Sequence, residues 1–124
     1  MTEAAALLAR AARDLDDARY LLEDSRALAA VNRAYYACFH AAQAALLTVG
    51  EAPTTHKGVV LRFAYHFVRT RTVASETGAF LAYALNARTA ADYDALSDAD
   101  VRGAADLLAD TERFLTAVRE IVGA

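Results

Sequence analysis

The sequence predicts an all-α fold, an antiparallel up-and-down bundle of four to five helices. Three observations predict it. The 124 residues are 56% hydrophobic, and much of that fraction is alanine, the strongest helix former. One proline and five glycines are all that punctuate the chain. Apolar residues recur at steps of three and four, the helical period, with no sustained alternation of the kind strands show. A chain of this length folds most simply as a single domain, residues 1–124, with a core that needs no cross-links.

The first helix is predicted from about Glu3 to Glu23. Leu7, Leu8, Leu15, Ala18 and Leu22 form its apolar side, with Arg10, Arg13, Asp14 and Asp17 on the wet side. Asp24-Ser25 reads as a break and then an N-cap. The second helix runs from about Arg26 to Val49 and ends at Gly50. Residues 50–57, GEAPTTHK, hold the only proline and read as a loop. A third helix follows from about Gly58 to Arg69, with Val59, Val60, Phe63 and Phe67 apolar, and residues 69–72 connect it onward. Ser75-Glu76 opens a fourth, whose apolar side is Phe80, Leu81, Ala84 and Leu85 and which fades near Arg88 or Ala91. Ser97-Asp98-Ala99-Asp100 resembles a capping box. The last helix reaches about Val122, with Val101, Ala105, Leu108, Phe114, Leu115 and Val118 inward.

Composition narrows the function classes. A lone cysteine, Cys38, forms no intramolecular disulfide, so nothing points to an oxidising compartment. The N-terminus lacks a basic region followed by an apolar run. No segment approaches the ~18 apolar residues that would span a bilayer. A cytoplasmic protein without membrane association is expected. The net charge of −3 argues against a molecule-wide basic surface for nucleic acid but leaves room for a local one. Of the basic residues all but Lys57 are arginine, which grips phosphate through two parallel hydrogen bonds. No Glu-x-x-His occurs, and the three histidines fall on separate elements, so neither a metal nor a cofactor is expected. Neither a Gly-rich phosphate loop nor a Ser–His–Asp signature is present.

The second helix carries the chemistry. At 100° per residue, Leu28, Val31, Tyr35, Cys38, Ala42, Leu46 and Val49 share a sector, a core seam. Asn32, Arg33, Tyr36, His40, Gln43 and Leu47 form a second stripe, very roughly 120° away. Arg33 and His40 lie two turns apart with Tyr36 between them. Two readings are compatible with this spacing. The stripe is a semi-buried flank on which Arg33 snorkels, or a self-complementary dimer surface with a site for an anion.

The segment NRAYYACFHAAQAAL, followed by the THKG loop and by RTAADY at 88–93, resembles the prokaryotic HEPN-domain family. That family carries an arginine separated by four to six residues from a histidine, and Arg33 and His40, with six between them, match it. The resemblance covers nearly the whole chain. It implies a metal-independent endoribonuclease, often the toxin of a toxin–antitoxin pair whose partner is a nucleotidyltransferase-type antitoxin. It also implies a homodimer in which the two motifs meet in one cleft. Arg33 and His40 inherit the catalytic assignment. Histidine exchanges protons near neutral pH, and arginine supplies a fixed cation for a phosphorane. Some members instead bind a nucleotide, or pair with a nucleotidyltransferase, without cleavage. Ala34 stands where many active members have a polar residue, and Ala42 where some have a modifiable tyrosine.

Asn32, beside Arg33 but rotated ~100° from it, joins the stripe as a binding candidate, as does Tyr36. His56 and Lys57, just ahead of a helix start, are candidates to hold a phosphate or are plain loop tips. Arg88 is either braced by Asp92 four residues on or belongs to the site. His66, among apolar neighbours, reads as a core-edge histidine bonded to a carbonyl.

Overall fold

The computed structural model describes residues 2–93 and 101–123. It is all-α: α1 (Glu3–Glu23), α2 (Ala27–Leu47), α3 (His56–Phe63) with a π-helical turn continuing it (Ala64–Val68), α4 (Ser75–Tyr93) and α5 (Val101–Val122).

Thr2 caps α1, its hydroxyl accepting from the Ala5 N–H at 3.1 Å. The reversal into α2 differs from the expected cap. Ser25 takes up a left-handed conformation (φ 58°), and the N-cap is Arg26, which makes no side-chain capping bond. At the other end α2 stops at Leu47, two residues before the expected Val49, which lies exposed in the following turn. Gly50, at φ 78°, lets the Glu51 N–H return to the Leu46 carbonyl at 3.0 Å, the six-to-one closure that a left-handed residue after a helix permits.

α2 is the central helix. Fourteen of its 21 residues are buried, and α1, α3, α4 and α5 all pack on it. Its alanines at 30, 34, 37, 41, 44 and 45 are fully buried; small side chains let neighbouring helices approach closely. Burial on several sides also means that the second stripe does not face outward as a free surface. Elsewhere the core is aromatic: Phe63 stacks against Phe67 and Phe114 at 5.1 and 5.4 Å.

Two further expectations are corrected. Val101 and Ala105 are exposed, and α5 instead turns Ala104, Leu107, Leu108, Thr111, Phe114, Leu115 and Val118 inward. α3 begins at His56, not Gly58, because the Thr55 hydroxyl accepts from the Gly58 N–H at 3.0 Å and so caps the helix. The expected capping box at 97–100 and the Asp92 carboxylate lie outside the described residues.

Candidate active site

Asp14 is the residue that organises the site. Charge patterning puts it on the wet side of α1, yet it is 6% exposed and faces α2. Its neighbours on the helical step, Ala11 and Ala18, are fully buried, so the same face that packs α1 onto α2 carries a carboxylate into the contact. One oxygen, Oδ2, accepts from His40 Nδ1 at 2.6 Å. The other, Oδ1, lies 3.6 Å from an Arg33 terminal nitrogen. A single buried acid therefore ties together the two residues the sequence pairs, across two turns of α2.

The His40 tautomer follows from this bond. A carboxylate is a hydrogen-bond acceptor, so the Nδ1 facing it carries a proton, and in the neutral ring Nε2 keeps its lone pair. His40 itself is 7% exposed, whereas the Arg33 side chain is 37% exposed. The histidine is held deep while the cation reaches toward solvent.

Two guanidiniums approach the Tyr36 ring. Arg33 lies 4.8 Å from its ring centroid and Arg88, from α4, 5.6 Å; Arg88 also reaches the Tyr36 hydroxyl at 3.4 Å. Arg88 thus belongs to the cluster. Asn32, whose rotation about the helix sets it apart from Arg33, nonetheless touches it: its carbonyl oxygen accepts from Arg33 at 3.2 and 3.4 Å.

His56 is the first residue of α3, and its ring is turned inward against Tyr35, Tyr36 and Phe39 at 5.4, 5.9 and 4.8 Å. It is therefore not a loop-tip phosphate ligand. Burial, and then the nearby Arg88 charge, push the imidazole below its ordinary pKa. Tyr35 is fully buried, and that burial raises its phenol above the usual range. The Tyr35 hydroxyl is hydrogen-bonded to His56 Nδ1 at 2.7 Å. Lys57 remains exposed on the helix surface beside them.

The other candidates settle into structural roles. Cys38 is buried, which pushes its thiol up to about 12, and it faces the Thr111 hydroxyl at 3.7 Å. His66 is bonded not to a carbonyl but to the Glu51 carboxylate, which Arg62 also grips with two bonds of 2.7 Å. Gln43 secures the loop after α2 through the Pro53 carbonyl at 3.4 Å. Among the described residues no group of three or more His, Cys, Asp or Glu side chains is placed to hold a metal ion. No described helix is long and apolar enough to cross a membrane.

Fold and site together define an all-α bundle whose central helix sets an arginine and a histidine two turns apart. The chain belongs to the HEPN domain family, which matches it over residues 4–121. It is 36% identical to a UPF0332 protein of Thermotoga maritima over 113 residues, 91% of this chain and 86% of that one. It is 38% identical over 91 residues to a Methanocaldococcus jannaschii protein named "Putative toxin MJ0605", covering 73% of this chain and 68% of that one. A UPF0332 protein of Gloeobacter violaceus is 30% identical over 117 residues, 94% and 93% of the two chains.

Proposed function

We propose that the protein is a metal-independent endoribonuclease that acts as a toxin, with Arg33 and His40 as its catalytic residues and Asp14 positioning His40. The observation that carries this reading is the Asp14–His40 bond at 2.6 Å, which leaves the other imidazole nitrogen as a proton acceptor, while the same carboxylate meets the Arg33 guanidinium. In the reaction His40 Nε2 takes the proton of an RNA 2′-hydroxyl. The 2′-oxygen attacks the adjacent phosphorus, and Arg33 stabilises the negative charge that builds on the phosphorane oxygens. The bond to the 5′-oxygen then breaks, that oxygen is protonated, and a 2′,3′-cyclic phosphate and a 5′-hydroxyl result. Arg88 and Asn32 hold the phosphate side of the site, and both cations approach the Tyr36 ring.

A homodimer suits this chemistry, since a second His40 supplies the imidazolium that protonates the leaving oxygen while the first accepts a proton. The names of relatives support the toxin class, and a nucleotidyltransferase-type antitoxin is the partner such a toxin would have. The test is incubation with tRNA and mRNA in chelator, comparing wild type with Arg33→Ala and His40→Ala. Cleavage that persists in chelator and disappears in both variants is expected; a fully active His40→Ala protein refutes the assignment. The enclosure of His40 favours one other reading, a non-catalytic module that binds a nucleotide through the two arginines and Tyr36. Retained nucleotide binding without any cleavage selects it.

A further inference from the structure

The charge of this chain is unevenly distributed. Residues 52–75 contain Lys57, Arg62, Arg69 and Arg71 and no carboxylate, so the other 100 residues carry −7 against −3 for the whole. The segment includes α3, its π-helical turn and the connection to α4. Its exposed side follows a four-residue step: Lys57, Leu61, Tyr65 and Arg69 are all exposed, Leu61 by 59% and Tyr65 by 45%. Arg62 and Arg69 both stack on the Tyr65 ring, at 4.4 and 4.2 Å from its centroid.

The individual cations have different duties. Arg62 is held by Glu51, so its charge is met within the protein. Lys57, Arg69 and Arg71 are exposed. Lys57 occupies the second position of α3, where a cation opposes the helix dipole, so the helix gains nothing from it. Arg69 and Arg71, with Thr72 and Ser75, line a hollow of about 430 Å³ at the far end of the segment. The near end starts at His56, inside the aromatic cluster beside Tyr36. From Lys57 to Arg69 is about 18 Å along the helix.

We infer that this face is the track for single-stranded RNA flanking the cleaved bond: its phosphates pair with Lys57, Arg69 and Arg71, and a base stacks at the Tyr65–arginine platform. The inference rests on the ribonuclease reading for its direction, toward His40, but not for the binding itself. Arginines interleaved with an exposed aromatic and with threonine hydroxyls suit a strand that offers both phosphates and ring faces. An acidic protein would use the cations and leave the stacking platform idle.

The test is binding of a fluorescein-labelled single-stranded RNA of about a dozen nucleotides in the His40→Ala background, so that cleavage does not intervene. Affinity is followed across a salt series, with and without Lys57→Gln, Arg69→Gln and Arg71→Gln together. Removing these three phosphate-pairing charges should make the slope of log affinity against log salt shallower by about 2, and weaken binding about 50-fold at 0.15 M salt. Tyr65→Ala should weaken binding further without changing the slope. Lys57, Tyr65, Arg69 and Arg71 are exposed, and a circular-dichroism melt checks that each variant keeps the fold of the His40→Ala background. An unchanged slope overturns the inference, including the case in which the same substitutions abolish capture of an acidic protein. Full salt-dependent RNA binding by a wild type that never cleaves would sink the ribonuclease reading and leave this surface standing.

Discussion

Replacing Asp14 with asparagine keeps the shape of the side chain and removes its charge. Two interactions are affected, and their sizes differ. The bond to His40 Nδ1 is 2.6 Å long between two buried side chains; a charge-assisted hydrogen bond of this kind is worth about 1.5–3 kcal/mol. The contact with Arg33 is longer, 3.6 Å, and its partner is 37% exposed, so solvent screening leaves it little weight. The histidine bond decides the outcome. At 1.36 kcal/mol per tenfold, its loss in the transition state lowers the rate about 10- to 160-fold. The amide can also rotate and offer its N–H₂ to Nδ1, which would move the imidazole proton to Nε2 and remove the base. Single-turnover cleavage of labelled RNA in chelator, near neutral pH, measures the rate, and long-range proton–nitrogen spectra report which ring nitrogen is protonated. Because Asp14 acts through His40, the Asp14→Asn/His40→Ala double variant should be no slower than His40→Ala alone. An Asp14→Asn protein within about twofold of wild type, beside an inactive His40→Ala protein, would refute the positioning role.

Two predictions concern the framework. Arg62, then His66, hold the Glu51 carboxyl down to about 2 from an ordinary 4.5; a depressed carboxylate stabilises the fold above 4.5, and that contribution disappears as pH falls toward 2. The urea midpoint of the wild type should therefore drop more steeply through that window than that of Glu51→Gln, and parallel curves would count against the pairing. A Cβ at Gly78 would lie 2.3 Å from Val68 Cγ2, so Gly78→Ala should destabilise by about 1–3 kcal/mol through overpacking, despite the ~1 kcal/mol that alanine normally gains over glycine in a helix. Adding Val68→Ala should recover part of the loss in a thermal melt; a higher melting temperature for Gly78→Ala alone contradicts the contact.

The helices are legible because apolar spacing and turn residues agree along the chain, and the Arg33–His40 pairing because two turns of helix superimpose them. Asp14 escapes a reading by pattern because the charged residues around it, Arg10, Arg13, Asp16 and Asp17, are exposed, and charge outvotes position. The signal that does identify it is positional: Asp14 lies three residues after Ala11 and four before Ala18, both fully buried. The start of α3 is misleading for a different reason. Gly58 looks like a boundary, yet a Cβ there would sit 2.6 Å from Thr55 Oγ1, so the glycine makes room for the cap that precedes it. The entry of Arg88 and His56 into one cluster depends on how α3 and α4 lie against α2, a tertiary fact that no local pattern carries.

The Asp14–Arg33–His40 cluster is difficult to account for as a stabilising device. Buried ionic groups cost several kcal/mol each in lost hydration, and well-packed apolar side chains of similar volume commonly serve stability as well or better. The α1–α2 contact has such packing available: Ala11, Ala18, Ala30, Ala34, Ala37 and Ala41 are fully buried within these two helices. Nothing in that packing requires a carboxylate, an imidazole or a guanidinium. What the three groups add is orientation: a histidine with one nitrogen committed to an acid, its other nitrogen free, and a cation reaching from the same helix toward solvent. The energetic cost falls on the residues whose chemistry the proposed reaction needs, and the alanines around them keep the helices close enough to hold the geometry.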